Sequence, residues 1–366
     1  MDILIFVLAL SILVLVHELG HFLAAKITGV RVEEFGLGLP PKIVGKKKWG
    51  TLWSLNWLPI GGFCKLYGED PSSAPTGLRN GKAEFSFQYK NPRQKMLIVL
   101  GGVIMNLVLA VFIFTVVYAI LGVPKETERV KIIGVAKNSP AEMAGLKEGD
   151  WIKRINSIEI RKASELTAEV EKNKGKEVEL IVGNGREEDG DVGNGRDRSV
   201  RIKIREIAPD GEGLMGVVIS NTEMQKIKWY EFYKGIGAGF KEAYFWGKII
   251  GEGVYKMIAG LLMGQVPKDV SGPIGMYEAT SSIRLNQGFL AMVHFFGVVS
   301  VNLAVVNILP FPALDGGRII FVIYEFLAEK RANEKFEAIV NNVGMVILLG
   351  LILLVTVGDI RRIFGK

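Results

Sequence analysis

The sequence predicts a polytopic α-helical membrane protein of about four transmembrane helices. A β-structure dips toward the membrane between two of them, and a soluble α+β domain is inserted between two others. Three observations carry this. Hydrophobic residues make up 49% of the 366, and the mean hydropathy is positive. Charged residues are nonetheless 23% of the chain, so apolar and charged residues must be segregated. Four separate apolar runs are each about as long as a helix needs to be to cross a hydrocarbon layer of ~30 Å.

The first run is Ile3 to Val16, broken only by Ser11 and extended by Phe22 to Ala25. Only Asp2 precedes it, so it lacks a signal peptide's basic lead, and no small-residue cleavage site follows. It is expected to be retained as a helix over 1–26. Residues 27–95 form a loop, in which Lys26 to Lys95 holds 12 Lys/Arg against 5 Asp/Glu. That bias places the loop in the cytoplasm. Within it, EEFGLGLPP and TLWSLNWLPIGGFCKLYG alternate strand-forming residues and glycines beside two membrane helices. A small sheet dipping toward the bilayer is expected, covered there by protein or by a cavity.

A second span occupies 96–122. Residues 123–209 then read as a compact domain. Val130 to Val135 is strand-like, Ser139-Pro140 opens a short helix, and Gly145 closes it. Glu177 to Val182 and Ser199 to Ile204 read as paired strands, and the repeat of GNGR at 183 and 193 reads as a hairpin tip. Residues 210–288 form a linker. There Phe232, Ile236, Phe240 and Tyr244 recur at helical spacing, among charges that make crossing a membrane costly. An amphipathic helix along the membrane surface fits better. The third span and the motif LDGG fill 289–318, and the fourth span with a basic tail fills 319–366. The tail would lie outside, against the charge bias.

The chemistry lies in LVHELGHFLAA. On a helix, His17 and His21 are four residues apart, so both imidazoles can hold one ion. Glu18 stands beside that ion and can take a proton from its water. Two histidines and a glutamate are expensive inside an apolar span unless they have a partner. Catalytic zinc usually has three protein ligands, and the third must come from elsewhere. His17 follows ~14 apolar residues, which puts it ~20 Å into the layer. His294 begins the third span at the opposite face and is expected to pack or to sit at the interface. Asp315 follows the end of that span and alone matches the depth of the histidine pair. Cys64 stays open as a ligand. Asn307 can donate to an oxyanion or to a substrate backbone, or can simply be a polar residue at a helix end. Pro310 and Pro312 stop the helix and free backbone groups near the metal, which makes them candidates for substrate binding with Asn307.

The order NSPAEMAGLKEGDWIKRINSIEI resembles a PDZ domain of the bacterial protease-associated type, whose members bind extended peptides by adding a strand. The sequence of motifs HELGH, PIGGFCKLYGED, this insert, SGPIGM and NILPFPALDGG resembles the site-2 protease family of intramembrane zinc metalloproteases. The resemblance is to the bacterial group that cleaves anti-sigma factors and covers nearly the whole chain. It implies Zn²⁺ held by His17, His21 and Asp315, with Glu18 as catalytic acid/base and Asn307 in substrate handling. It also implies that single-span membrane proteins, trimmed beforehand by another protease, are cut in a bacterial inner membrane. The active site would lie toward the cytoplasm and the PDZ-like domain outside. The partners expected are such substrates and the lipid bilayer, not nucleic acid. Two rival readings are a membrane-anchored PDZ scaffold or chaperone with a structural metal, and a metal transporter. The first would make Glu18 dispensable, and the second would need more polar residues along a path than the spans offer.

Overall fold

The computed structural model describes residues 2–69, 83–183, 197–209, 212–263 and 272–364. Most of the GNGR repeat lies outside them. The chain forms two compact units, Met1–Ile120 with Lys228–Lys366, and Leu121–Ile227.

The first unit opens with helix α1, Asp2–Ile27, then the long strands β1, Val32–Lys48, and β2, Thr51–Leu66, and helix α2, Pro92–Leu121. It resumes with α5, Phe232–Leu262, α6, Pro273–Gln287, α7, Phe289–Ile308, α8, Asp315–Ala328, and α9, Glu334–Phe364. The second unit holds the intervening elements β3 to β8. Among the described residues, four helical stretches are long and apolar enough to cross a membrane: Asp2–Ile27, Pro92–Leu121, Phe289–Ile308 and Lys335–Arg361.

Without water to drive them together, membrane helices associate where small side chains let backbones approach. α1 and α2 meet in this way. A Cβ on Gly20 would lie 2.1 Å from the Gly101 carbonyl oxygen, so neither helix tolerates a side chain there. β1 and β2 form a hairpin whose tip is Trp49-Gly50, with φ of 52° and 75°, the pair of positive angles that matches strand twist in a two-residue turn. The strands also fold back, so that Phe35 is in register with both Cys64 and Trp53. Ser11 of α1 docks the hairpin: its Oγ donates to Pro59 O at 3.0 Å and accepts from Gly61 N at 3.3 Å. Leu39, Ile43, Val44, Trp49, Trp57 and Ile60 stay exposed on the hairpin, an apolar surface that water does not favour.

The third span ends at Ile308, where Pro310 and Pro312 stop the helix as expected, and Asp315 follows it. The sequence does not separate α8, which Asp315 opens, or α6, which follows α5 in the linker. α5 packs along α2 and α7. A Cβ on Gly239 would meet Val111 O at 2.8 Å, and Gly247 faces Val301. Its acidic Glu242 is matched there, accepting from Trp246 Nε1 at 2.9 Å and lying 3.2 Å from His294 Nε2.

The second unit is a sheet in the order β7-β6-β4-β3-β8. Its strands are β3, Val123–Val135, β4, Trp151–Ile155, β6, Glu177–Gly183, β7, Arg198–Lys203, and β8, Val217–Gln225, with the short β5, Ile158–Glu159, on β4. The short helix α3, Pro140–Met143, is capped by Ser139, whose Oγ accepts from Glu142 N at 3.2 Å. Helix α4, Ala163–Lys172, buries Leu166 and Val170. Those two side chains join Val130, Ile132, Ile152, Leu180 and Ile202 in one core. The unit extends past the expected boundary at 209, because β8 pairs with β3 along its length, Val123 facing Gln225 and Val135 facing Val217.

With its own core and adjacent ends, this unit should fold alone. A fragment spanning 121–227 is expected to unfold cooperatively in urea. Ile152→Ala should cost about 2–5 kcal/mol at an unchanged slope. A fragment without a cooperative transition would show that the core needs the rest of the chain.

Candidate metal centre

α1 presents His17 and His21 one turn apart on a single face, as the four-residue spacing requires. The turn between α7 and α8 brings Asp315 to them. His17 Nε2 lies 3.0 Å from Asp315 Oδ2, His21 Nε2 lies 3.4 Å from that oxygen, and the two Nε2 atoms are 3.2 Å apart. Among the described residues these three form a group able to hold a metal ion.

The donor set fits zinc. Ligand atoms ~2.0–2.1 Å from a tetrahedral ion stand about 3.3 Å from one another, and the three edges here are close to that. The tautomer of His21 fits as well. Its Nδ1 is 2.8 Å from the Ile98 carbonyl, which can only accept, so Nδ1 carries the proton and Nε2 offers a lone pair. Asp315 Oδ2 is buried without a hydrogen-bond donor. Burial alone would push the Asp315 carboxyl up, but contact with His17 and His21 outweighs it and holds the group below the usual carboxylate range. An anionic oxygen and imidazole nitrogens facing one another at this distance call for a cation.

The turn that delivers Asp315 is tightly specified. A Cβ on Gly316 would meet Leu309 O at 2.0 Å, and one on Gly317 would meet Phe311 O at 2.5 Å. Ala313 takes a φ of 72°, the left-handed region that a residue with a Cβ rarely adopts. Pro312 lies against α9, where a Cβ on Gly344 would be 2.3 Å away.

A cavity of about 600 Å³ surrounds the cluster, lined by Glu18, Cys64, Asn307 and Arg318 together with the three ligands. Asn307 Nδ2 is 3.4 Å from His17 Nε2, beside the metal position rather than in the ligand set. Pro310 and Pro312 do not line this cavity. They shape the turn that delivers Asp315. Cys64 lines the wall but is not one of the ligand group, and burial pushes its thiol up, away from the thiolate a metal needs. His294 is elsewhere in the bundle, its ring 4.8 Å from that of Phe114.

Residues not singled out from the sequence complete the site. Gly102 of α2 faces both imidazoles, and a Cβ there would lie 2.5 Å from His21 Nε2 and 2.6 Å from His17 Cε1. Arg318, one turn after Asp315, pairs with Glu69. These two also line a second cavity of about 540 Å³, whose walls include the buried ion pair Lys95–Glu325 at 2.6 Å. A polar residue or a glycine pair within an apolar span was the available signal for Gly102.

A family model for Peptidase family M50 matches residues 5–351. A relative in Clostridium acetobutylicum is 31% identical over 98% of this chain and 97% of its own length. One in Clostridium perfringens is 33% identical over 96% of each, and one in Campylobacter jejuni 30% identical over 98% of this chain and 93% of its own. Each bears the name "Putative zinc metalloprotease".

Removing a ligand should abolish zinc binding. His21→Ala and Asp315→Ala are each expected to leave purified protein without bound zinc, measured by atomic absorption after dialysis. Gly102→Ala should keep all ligands yet weaken binding about tenfold, because the rings must move. Zinc retained by Asp315→Ala would remove that residue from the ligand set.

Proposed function

The chain belongs to peptidase family M50, and from that membership and the seat of its ligand cluster among membrane-crossing helices we propose that it cuts single-span membrane proteins within their transmembrane segments. That it is a zinc metalloprotease and a multi-pass membrane protein follows from the family and its relatives. The proposal adds where it cuts and what. One observation carries it: all three ligands and Glu18 stand on or beside helices apolar enough to cross a bilayer, so a substrate bond must come to that depth.

A zinc ion bound there supplies a Lewis acid and lowers the pKa of its water to about 7. The protein's own groups do the rest. Glu18 lines the cavity and accepts the water's proton as the carbonyl is attacked, then returns it to the departing amine. Asn307 offers its amide N–H beside the ligand cluster, where an oxyanion or a substrate backbone can accept it. Asp315 and the two histidines hold their geometry because α1, α2 and the turn into α8 leave them no room.

A helical peptide bond is shielded by its neighbours, so the substrate has to unwind. The hairpin β1–β2 carries the exposed apolar strand residues suited to pair with an unwound segment. Water reaches the cluster through polar space. The cavity walled by Glu69, Arg318, Lys95 and Glu325 adjoins that of the metal centre and supports entry from that side. The preponderance of Lys and Arg in residues 26–95 argues that this side is cytoplasmic. We read the second unit as a PDZ-like size filter on the outer side, admitting substrates whose outer domain has already been removed. Anti-sigma factors and signal-peptide remnants are substrates of that shape, in a bacterial inner membrane.

The deciding experiment compares wild type with Glu18→Gln in liposomes, on a single-span substrate lacking its outer domain. Glu18→Gln should lose at least about 10²–10⁴-fold in cleavage rate while keeping its zinc. Equal cleavage by the two proteins would end the assignment of Glu18. For the filter, residues 124–224 can be replaced by a short linker, because Val123 and Gln225 already face each other. The shortened protein should cut substrates with intact outer domains that wild type refuses. Unchanged selectivity would overturn the filter.

A further inference from the structure

Asn106 lies in the middle of α2, fully buried. Its side-chain amide is the hydrogen-bonding group at Nδ1 of His17, 3.1 Å from Nδ2, and its Oδ1 is buried with no partner. Neither fact is used by the reading above. Together they fix a relation between Asn106 and the metal ligand.

An imidazole that binds a metal through one nitrogen carries its proton on the other, and that N–H requires an acceptor. His21 meets this with the Ile98 carbonyl. His17 Nε2 is the atom turned toward Asp315 and His21, so Nδ1 must carry the proton if Nε2 is to bind. An amide nitrogen cannot accept that proton, but an amide oxygen can. The two ends of the Asn106 amide exchange by a half-turn of the side chain. With Oδ1 turned to His17, the orphaned oxygen gains a donor and the imidazole gains its acceptor in one step. With Nδ2 there, His17 Nδ1 must accept, and the proton moves to Nε2, where it blocks a metal.

We propose that Asn106 is a positioning residue for the metal centre: its side-chain oxygen accepts from His17 Nδ1 and so presents Nε2 as a lone pair to the ion. The surroundings hold the amide in place. Ser300 Oγ, itself fully buried, donates to the Asn106 backbone oxygen at 2.8 Å and ties this turn of α2 to α7. Gly102, one turn earlier on the same face, lets α2 come close enough for the amide to reach. The inference rests on the ligand assignment, not on proteolysis.

The test measures zinc affinity of the full chain in detergent by competition with a chelator, with no substrate present, and the visible spectrum of the Co²⁺ form. Asn106→Leu keeps the volume and removes the acceptor. It should weaken zinc by roughly 10–100-fold and change the Co²⁺ bands. Asn106→Asp supplies an acceptor of the same shape and should bind zinc at least as tightly as wild type. Wild-type affinity and spectrum in Asn106→Leu would overturn the proposal. So would more than tenfold weakening in Asn106→Asp, which stands as a test even if the leucine variant fails to fold. Because neither readout needs cleavage, loss of the protease reading through Glu18→Gln would leave this result unaffected.

Discussion

A carboxylate and two imidazoles held within 3.4 Å of one another, inside helices built to face lipid, is the constraint on which the rest of this structure depends. In an apolar surrounding, such groups are costly unless a cation joins them and unless each remaining proton finds an acceptor. Several local features of the first unit serve one of those two conditions. Gly20 and Gly101 remove the side chains that would keep α2 from α1. Gly102 clears space for the rings. The Ile98 carbonyl accepts a hydrogen bond from Nδ1–H of His21, so the proton stays off the metal-facing nitrogen. An ordinary leucine-rich helix at α2 would satisfy the bilayer and leave the centre unbuilt.

The other half of the centre is made by breaking a helix rather than packing one. α7 runs to Ile308 and could have continued. Two prolines and a left-handed alanine instead turn the chain within seven residues, so Asp315 arrives as the first residue of α8, and Gly316 and Gly317 after it leave the turn room. The backbone groups freed by such a break must be satisfied or must line a cavity. The cavity at the metal centre takes Ala313 and Leu314 into its wall, and Gly344 gives α9 room to close over Pro312. Arg318 and Glu69 then bring a paired charge to the wall that two cavities share.

The legible part of this arrangement was that set by periodicity. The four-residue spacing of His17 and His21 fixes one helical face, whatever the helix packs against. The depth of His17 along its span was enough to prefer Asp315 over His294, and Asp315 is the residue that meets the pair. Strand alternation and a Ser-Pro cap marked the second unit. The parts that could not be read depend on contacts between distant segments. Nothing in GGVIMN says that its glycines meet HELGH or that its asparagine meets an imidazole, since that needs the partner helix's position. α8 was hidden because residues 319–328 are apolar and precede the fourth span, with which the sequence groups them. β8 was assigned to a linker because its partner, β3, lies about ninety residues earlier.

That pairing of β3 with β8 also explains how a soluble unit of this size can interrupt a membrane protein without disturbing it. The strand that enters the unit and the strand that leaves it are neighbours in the same sheet, Val123 opposite Gln225. An insert whose ends are adjacent asks of its host only two attachment points a strand spacing apart, ~5 Å. The host helices can then pack as though joined by a short loop, and the core of Val130, Ile152, Leu180 and Ile202 forms without help from them. The glycine contacts that shape the ligand cluster lie within the first unit, and the core of the second is complete without them.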